Sequence, residues 1–371
     1  MARNRIIYQS EALYVGPSPA TGNHFSLGNS GDNLVDQLQR VQTANYSFTV
    51  DRTDVNQYGQ LAAIDRVILT SPTVSLDFSY ILANLANENK LGLTVSTNGS
   101  TAAVSAISGI LNKTQDEKNY FIKTTPEGTD AVGNTATGST IGVIGIGNGF
   151  MTSYSTEASV GNFPTSTINV EGLNMTFQQG TTGNYIPAIN PSLGTSITGT
   201  LYALDVASQY SATGTNATGI SALRPGDITL SLPTTPGADS STFNIQSYTL
   251  SFDLARTPIE KLGSKFAFAR EIDFPLTVSL SVDAQVTDIS TGTLQNLVVN
   301  DSTTFYNPII TIKSPLDSNI TVAQFDLRRS KLDSQEFSSD IGSNKSVTLN
   351  FSSQVGGPQD TANGLFISGI Y

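Results

Sequence analysis

Cysteine and tryptophan are absent from the 371 residues, and there is a single histidine. The missing cysteines exclude disulfide frameworks, thiolate metal sites and thiol nucleophiles, and one histidine excludes any triad or metal centre that needs two. Charged residues make up only 13% of the chain, and no apolar run approaches the roughly 18 residues of a membrane-spanning helix. The charge that is present leans acidic, with 30 carboxylates against 19 basic residues and a net charge of −11. That balance argues against an electrostatic clamp on nucleic acid, because affinity for phosphates comes largely from lysines and arginines that displace counterions. It is compatible with a surface past which nucleic acid slides without sticking. The first residues, Met1 to Tyr8, carry arginines with no apolar stretch behind them, so no secretory signal is expected. The lack of cysteine permits a reducing compartment without proving one.

What the chain has in quantity is serine, threonine and 32 glycines, with valine, isoleucine, phenylalanine and tyrosine among the apolar residues. This diet favours strands and turns over helices. A prior of about 150 residues per domain gives two or three domains.

Self-comparison supplies the organisation. Gln42–Leu76 and Gln246–Leu280 align without a gap at a constant offset of 204, with identities at Ser47/Ser251, Phe48/Phe252, Arg52/Arg256, Thr53/Thr257, Gly59/Gly263, Arg66/Arg270 and Thr73–Leu76/Thr277–Leu280. Shared β-type composition yields alternating apolar residues, but it does not bring two arginines and a glycine into one register. The sequence therefore predicts a duplication. Each copy opens with an alternating strand (Tyr46 to Val50 in the first), bends at Gly59 or Gly263 where a Cβ is unwelcome, and resumes alternation at Thr73 or Thr277.

Three such strands cannot enclose a core alone, and further strand patterns follow in both halves. These are Ile141–Ile146, Phe150–Ser155 and Ser166–Val170 in the first, and Ile309–Lys313, Ile320–Arg328 and Ser346–Phe351 in the second. Between the strand groups, Ala102–Lys118 carries Ala106, Ile107, Ile110 and Leu111 at helical spacing, with a shorter equivalent near Gly292–Val298. The expected fold is mainly β: two tandem β-sandwich or barrel domains, each with one flanking helix, plus an extended N-terminal arm. The divisions are an arm at 1–39, a first domain at 40–180, a Gly/Thr-rich insert and linker at 181–238 and a second domain at 239–371, with the boundary inside Leu232–Asp239.

Candidate chemistry is sparse. The glycines of Gly142–Gly149 lack the helix and the downstream acid of a dinucleotide fingerprint, and strand-like Phe150–Ser155 follows them, so they read as a small-residue strand and its turn. His24 stands alone in a turn-prone arm. Asp51, Asp54 and Asp65 are possible acid/base partners, but the second copy has Ala255, Pro258 and Ala269 there, which excludes a duplicated active site. The Asn-x-Ser/Thr triplets are what this composition produces by chance. No catalytic, cofactor-binding or metal-binding residue is expected. The residues that stand out are Arg52, Arg66, Arg256 and Arg270. Each reads either as a solvated strand charge or, better for an arginine repeated in a weakly charged chain, as a bidentate partner of a carboxylate across a domain or subunit contact.

The stretch Arg40–Leu69, followed by Pro72-Thr-Val-Ser-Leu-Asp-Phe-Ser-Tyr80, and its second copy resemble the tail tube (major tail) proteins of tailed bacteriophages. The resemblance is weak over the arm and Gly180–Pro236. It implies a β-sandwich or small barrel flanked by one helix, six of which close a ring whose inner strands join into a β-barrel around a DNA channel. With two domains per chain, three chains would close a pseudo-hexameric ring, and rings would stack into a tube. The implied role is a non-enzymatic virion protein of the phage tail, assembled in the host cytoplasm. Its partners would be itself and other tail and neck proteins, with DNA passing through the lumen without tight binding and with no membrane span. Tandem repeats with heterologous contacts commonly close into rings, and pairing between subunits covers exposed strand edges. On this reading the lumen is electronegative and the four arginines lie at contacts rather than in the channel; net charge alone does not place the carboxylates on the inner or the outer wall. The alternatives are a neck or terminator ring, a capsid decoration protein, a carbohydrate-binding adhesin without the usual tryptophan platforms, and a tail-associated glycosidase.

Overall fold

The structure, a computed structural model, describes residues 6, 10–17, 35–97, 104–113, 116–132, 141–179, 182–203, 222–232, 235, 243–286, 293–300, 304–339, 344–358 and 360–371. The first half contains β1 (Glu11–Pro17), β2 (Asp36–Gln37), β3 (Val41–Thr49), β4 (Arg52–Val55), β5 (Asp65–Ile68), β6 (Thr73–Ile81), α1 (Ala86–Lys90), β7 (Val95–Thr97) and α2 (Ser108–Leu111). It continues with β8 (Glu117–Thr124), β9 (Gly142–Ser159), β10 (Thr165–Gly172) and β11 (Asn174–Gln179), and a hairpin β12 (Thr182–Asn190) and β13 (Thr195–Ala203) follows. The second half contains β14 (Ile228–Ser231), β15 (Phe243–Asp253), β16 (Arg256–Ile259), β17 (Ala269–Ile272), β18 (Leu276–Val286) and α3 (Leu294–Val299). The chain ends with β19 (Ile309–Lys313), β20 (Thr321–Arg328), β21 (Lys331–Ser338), β22 (Ser346–Val355) and β23 (Gly364–Gly369).

Alternation drives the strands. In β6, Val74, Leu76, Phe78 and Tyr80 are buried while Thr73 and Ser75 face solvent, and β18 repeats this with Val278, Leu280, Val282 and Ala284 inward. Burying each larger apolar side chain contributes roughly 1.5–3 kcal/mol, and a one-residue slip would turn all of them outward. The architecture is accordingly mainly β, built of large antiparallel sheets.

The two halves share one strand order. The first runs β3-β6-β10-β9 and the second β15-β18-β22-β21. Their registers also coincide. Phe78 faces Ile168 and Ile168 faces Tyr154; at the equivalent places Val282 faces Leu349 and Leu349 faces Gln335. Both fourth strands carry a bulge at the same position, skipping Thr152 in β9 and Asp333 in β21. The likeness extends to a second layer, β1-β8-β9-β11 against β14-β19-β20-β23. Asn148 (φ 52°) and Arg329 (φ 53°) hold the same left-handed place, although β9 runs through it while β20 and β21 are separate strands.

Three expectations change. Part of the expected arm, Glu11–Pro17, is strand β1, paired to β8, because its apolar run is covered on both faces, Leu13 and Val15 in the main core and Ala12 and Tyr14 in a second apolar cluster. Part of the expected linker, Ile228–Ser231, is β14 and pairs with β19 in the matching place. The helix expected over Ala102–Lys118 is a single turn at Ser108–Leu111, since Lys113 turns left-handed (φ 63°) and strand β8 begins at Glu117. The shorter helix near Gly292–Val298 is α3 at Leu294–Val299. Most of the expected boundary Leu232–Asp239 lies outside the described residues.

Candidate assembly and channel surface

The two four-stranded sheets join side by side. β9, last strand of the first sheet, pairs antiparallel with β15, first strand of the second, so that Ser155 faces Ser251 and Tyr154 faces Phe252. Behind this seam the Tyr154 and Phe252 rings stack at 5.4 Å. The result is one continuous order, β3-β6-β10-β9-β15-β18-β22-β21.

One face of this joined sheet is the core; the other carries mainly hydroxyl, amide and carboxylate side chains, with Phe150 beside Glu171 at its margin. β6 presents Thr73, Ser75, Asp77 and Ser79, β15 presents Ser247, Thr249, Ser251 and Asp253, and β18 presents Thr277, Ser279, Ser281 and Asp283. The side chains bind one another laterally: Asn45 Nδ2 donates to Asp77 Oδ2 at 2.8 Å, Ser47 and Ser75 hydroxyls meet at 2.8 Å, and Asp283 accepts from Ser247 (2.9 Å) and Thr348 (2.6 Å). Its carboxylates are Asp77, Glu157, Glu171, Asp253, Asp283 and Glu336. Among the described residues of these strands, the cation on this side is Lys331, at the margin opposite Ser352, where its Nζ donates to Thr304 O at 2.8 Å.

The outer strands β3 and β21 remain open along one edge. Their apolar residues are exposed where the equivalents at the internal seam are covered: Phe48 is 60% exposed against 2% for Phe252. Phe337 is 45% exposed, while Thr156, its equivalent on β9, is fully buried.

The four arginines fall into two environments. Arg256 and Arg270 belong to the hairpin β16–β17, which lies on the first half. Arg256 binds Asp116 through both nitrogens, Nη1–Oδ2 at 3.1 Å and Nη2–Oδ1 at 2.5 Å, with its guanidinium 4.9 Å from the centre of the Phe150 ring. Arg270 pairs with Glu171, Lys113 reaches Glu271 at 2.7 Å, and Ser264 Oγ donates to Pro191 O at 2.9 Å. Arg52 and Arg66 belong to the matching hairpin β4–β5 and are exposed; Arg66 Nε binds Asp54 on its own hairpin at 2.7 Å. Gly59 and Gly263 share φ 86° at the two hairpin tips, a value that favours glycine, and the preceding Tyr58 and Leu262 are fully exposed.

Sequence reading missed the carboxylates that receive Arg256 and Arg270. Asp116 precedes β8 and Glu171 ends β10, far from either arginine along the chain, so only the pairing brings them together. It also missed a buried acid. Glu88 of α1 is fully buried, accepting from Tyr80 Oη (2.8 Å) and Tyr154 Oη (3.3 Å). Desolvation pushes its carboxyl from 4.5 up to about 7 against the opposing hydrogen bonds, and burial and the Glu88 charge push Tyr80 and Tyr154 well above the usual phenol range.

The other sequence candidates do not converge. His24 lies outside the described residues. Asp51, Asp54 and Asp65 sit on or beside the exposed β4–β5 hairpin, where Asp65 Oδ1 accepts the Arg66 backbone N–H at 2.7 Å. Gly142–Gly149 are strand residues of β9 rather than a strand and its turn. Their smallness has a packing cause: a Cβ on Gly147 would overlap the Pro187–Ala188 backbone, and one on Gly145 would meet Thr176 and Pro187.

No protein-family profile matches the chain, and no curated protein matches it. Among solved structures, it is similar to a chain of the baseplate of the anti-feeding prophage, with 18% identity over 38% of this chain and 91% of that one and a TM-score of 0.27. It is also similar to a chain of the virion of the native gene transfer agent particle, with 12% identity over 39% of this chain and 97% of that one and a TM-score of 0.22.

Proposed function

We propose that this chain is a structural virion protein, the subunit of a phage tail tube, and that three chains close a ring of six repeat units with the polar sheet face lining a DNA channel. The observation that carries the reading is the internal seam. β9 and β15 pair within the chain, and the strands equivalent to them, β21 and β3, are open at opposite ends of the same sheet. One contact, repeated between chains, is heterologous and gives a ring when its rotation closes. Carried over from the internal seam, the register sets Ser47 opposite Glu336 and Tyr46 opposite Phe337, and covers Phe48.

Size and charge support a conduit. Eight strands from each chain give a barrel of about 24, and at about 4.8 Å per strand the clear bore is roughly 25–40 Å depending on tilt, room for a duplex. Carboxylates and hydroxyls on the wall repel or ignore phosphates, whereas lysines and arginines would release counterions and hold them. On this reading the chain acts by assembly, together with other tail and neck proteins, and performs no covalent chemistry. The test is the mass and shape of the purified protein at rising concentration, by sedimentation and electron microscopy. Rings of three chains that stack are expected; a monomer at every concentration, or a ring of six chains, overturns the proposal.

A further inference from the structure

The duplication presents each surface twice, and α2 and α3 make the comparison sharpest. The β8 and β19 registers match when Lys118–Gly149 is laid on Tyr306–Ser330, which sets Ala106, Ile110 and Leu111 on Leu294, Val298 and Val299 and the helix-ending Asn112 on Asn300. The first set is buried, with Ile110 1% exposed; the second is open, with Leu294 71%, Val298 64% and Val299 70% exposed. The difference lies in what each helix rests on. The first-half segment docks on the second half: Ala106 N–H donates to Leu365 O at 2.7 Å, Ser108 Oγ donates to Pro358 O at 2.8 Å, and β7 pairs with β23. Within the chain α3 has no third half to rest on.

The receiving surface is also duplicated. Leu365 and Ile367 of β23 correspond to Met175 and Phe177 of β11, since Leu365 faces Leu327 as Met175 faces Ile146. Ile367 is fully buried, whereas Phe177 is 67% exposed and Met175 only partly covered. An exposed apolar helix in the second half and an exposed apolar strand in the first half are therefore each the open version of a contact that is closed between the halves.

We infer that α3 of one chain docks on β11 of a second copy of this chain, with Leu294 at Met175 and Val298 and Val299 covering the region of Phe177. The inference rests on the ring proposed above and adds to it a contact distinct from the β21–β3 pairing. Burying apolar residues that a monomer exposes is the feature expected of an assembly surface.

The chain has no cysteine, so engineered pairs have no background. Chains carrying Leu294→Cys are mixed with chains carrying Met175→Cys, assembled and oxidised. A disulfide-linked dimer from the mixture, absent from either chain alone, is expected. Val298→Asp with Val299→Asp, and separately Phe177→Asp, alter residues exposed in the monomer; each is expected to leave its circular dichroism unchanged and raise the concentration needed for rings at least tenfold. If rings form in the mixture without the link, and the aspartate variants assemble like the parent, the α3–β11 contact is wrong while the ring stands. If the parent chain never forms rings, the ring proposal fails and this inference with it.

Discussion

Replacing Glu88 by glutamine should make the protein more stable at neutral and alkaline pH and change little in acid. Glu88 is fully buried beneath the polar sheet, its Oε1 receiving two tyrosine hydroxyls and the buried Ser166 hydroxyl lying beside the cluster. Desolvation raises the folded-state value to about 7 from 4.5, so between these limits the folded protein holds a proton that the unfolded chain releases. Stability then falls as pH rises through that window and is flat above it, the whole difference being about 3 kcal/mol. Glutamine keeps the shape and the acceptor, supplies a donor in place of the protonated oxygen and removes the ionisation. Urea unfolding of parent and variant at intervals from pH 4 to 8.5 isolates the effect, because all other carboxylates titrate in both. The difference should be near zero at pH 4 and grow to about 3 kcal/mol in favour of Glu88→Gln by pH 8. Parallel pH profiles would refute the reasoning, since they would mean that Glu88 ionises as freely in the fold as outside it.

The two arginine environments predict unequal responses: Arg256→Ala leaves Asp116 buried without its partner and should cost about 3–5 kcal/mol in urea unfolding, while Arg52→Ala in the unassembled chain should stay within about 0.5 kcal/mol. Gly147→Ala should cost on the order of 1–3 kcal/mol and open the β12–β13 hairpin to limited proteolysis, because the added methyl meets backbone rather than a movable side chain. Ser251→Lys combined with Ser279→Lys puts cations in the middle of the polar face; duplex DNA should then bind at about 50 mM salt and release by about 200 mM, with no such binding by the parent chain. Retention of DNA by the parent at low salt would count against a non-adhesive wall.

What was legible in the sequence was the part governed by local pattern. Period-two alternation marked β3, β6, β15 and β18, and the 204 offset marked the hairpins with their arginines and glycines. The rest depended on partners distant in sequence. β1 lacks period-two alternation and β14 is only four residues long, and neither carries a repeat signature; each is recognisable only once β8 and β19 are in place beside it. The apolar residues of Ala102–Lys118 suit a helix, yet they are buried as one turn and an irregular segment because the second half covers them. Asp116 and Glu171 are unremarkable as sequence and become partners only because the β16–β17 hairpin is laid across the first half by the β9–β15 seam.

That seam also explains why the two copies diverged where they did. At the internal contact the partners are tethered, so they meet without the loss of translational freedom that free chains incur, and a buried ion pair there need only be well formed once folding is complete. At the outward contact of the proposed ring the partners arrive from solution with hydrated charges, and stripping water from an arginine and a carboxylate would oppose assembly. The positions equivalent to Asp116 and Glu171 are Thr304 and Ser352, uncharged in the copy that would receive the next chain. Arg66 is meanwhile satisfied by Asp54 on its own hairpin, an option closed to Arg270 because Pro258 occupies the matching place. The outward surfaces offer aromatic and aliphatic residues instead: Phe48, Phe337, Phe177, Val298 and Val299. Such surfaces gain by losing water and owe nothing to charge desolvation. In the proposed ring, one duplicated contact would thus be held by buried charge where it is permanent and by apolar area where it would form anew with each chain added.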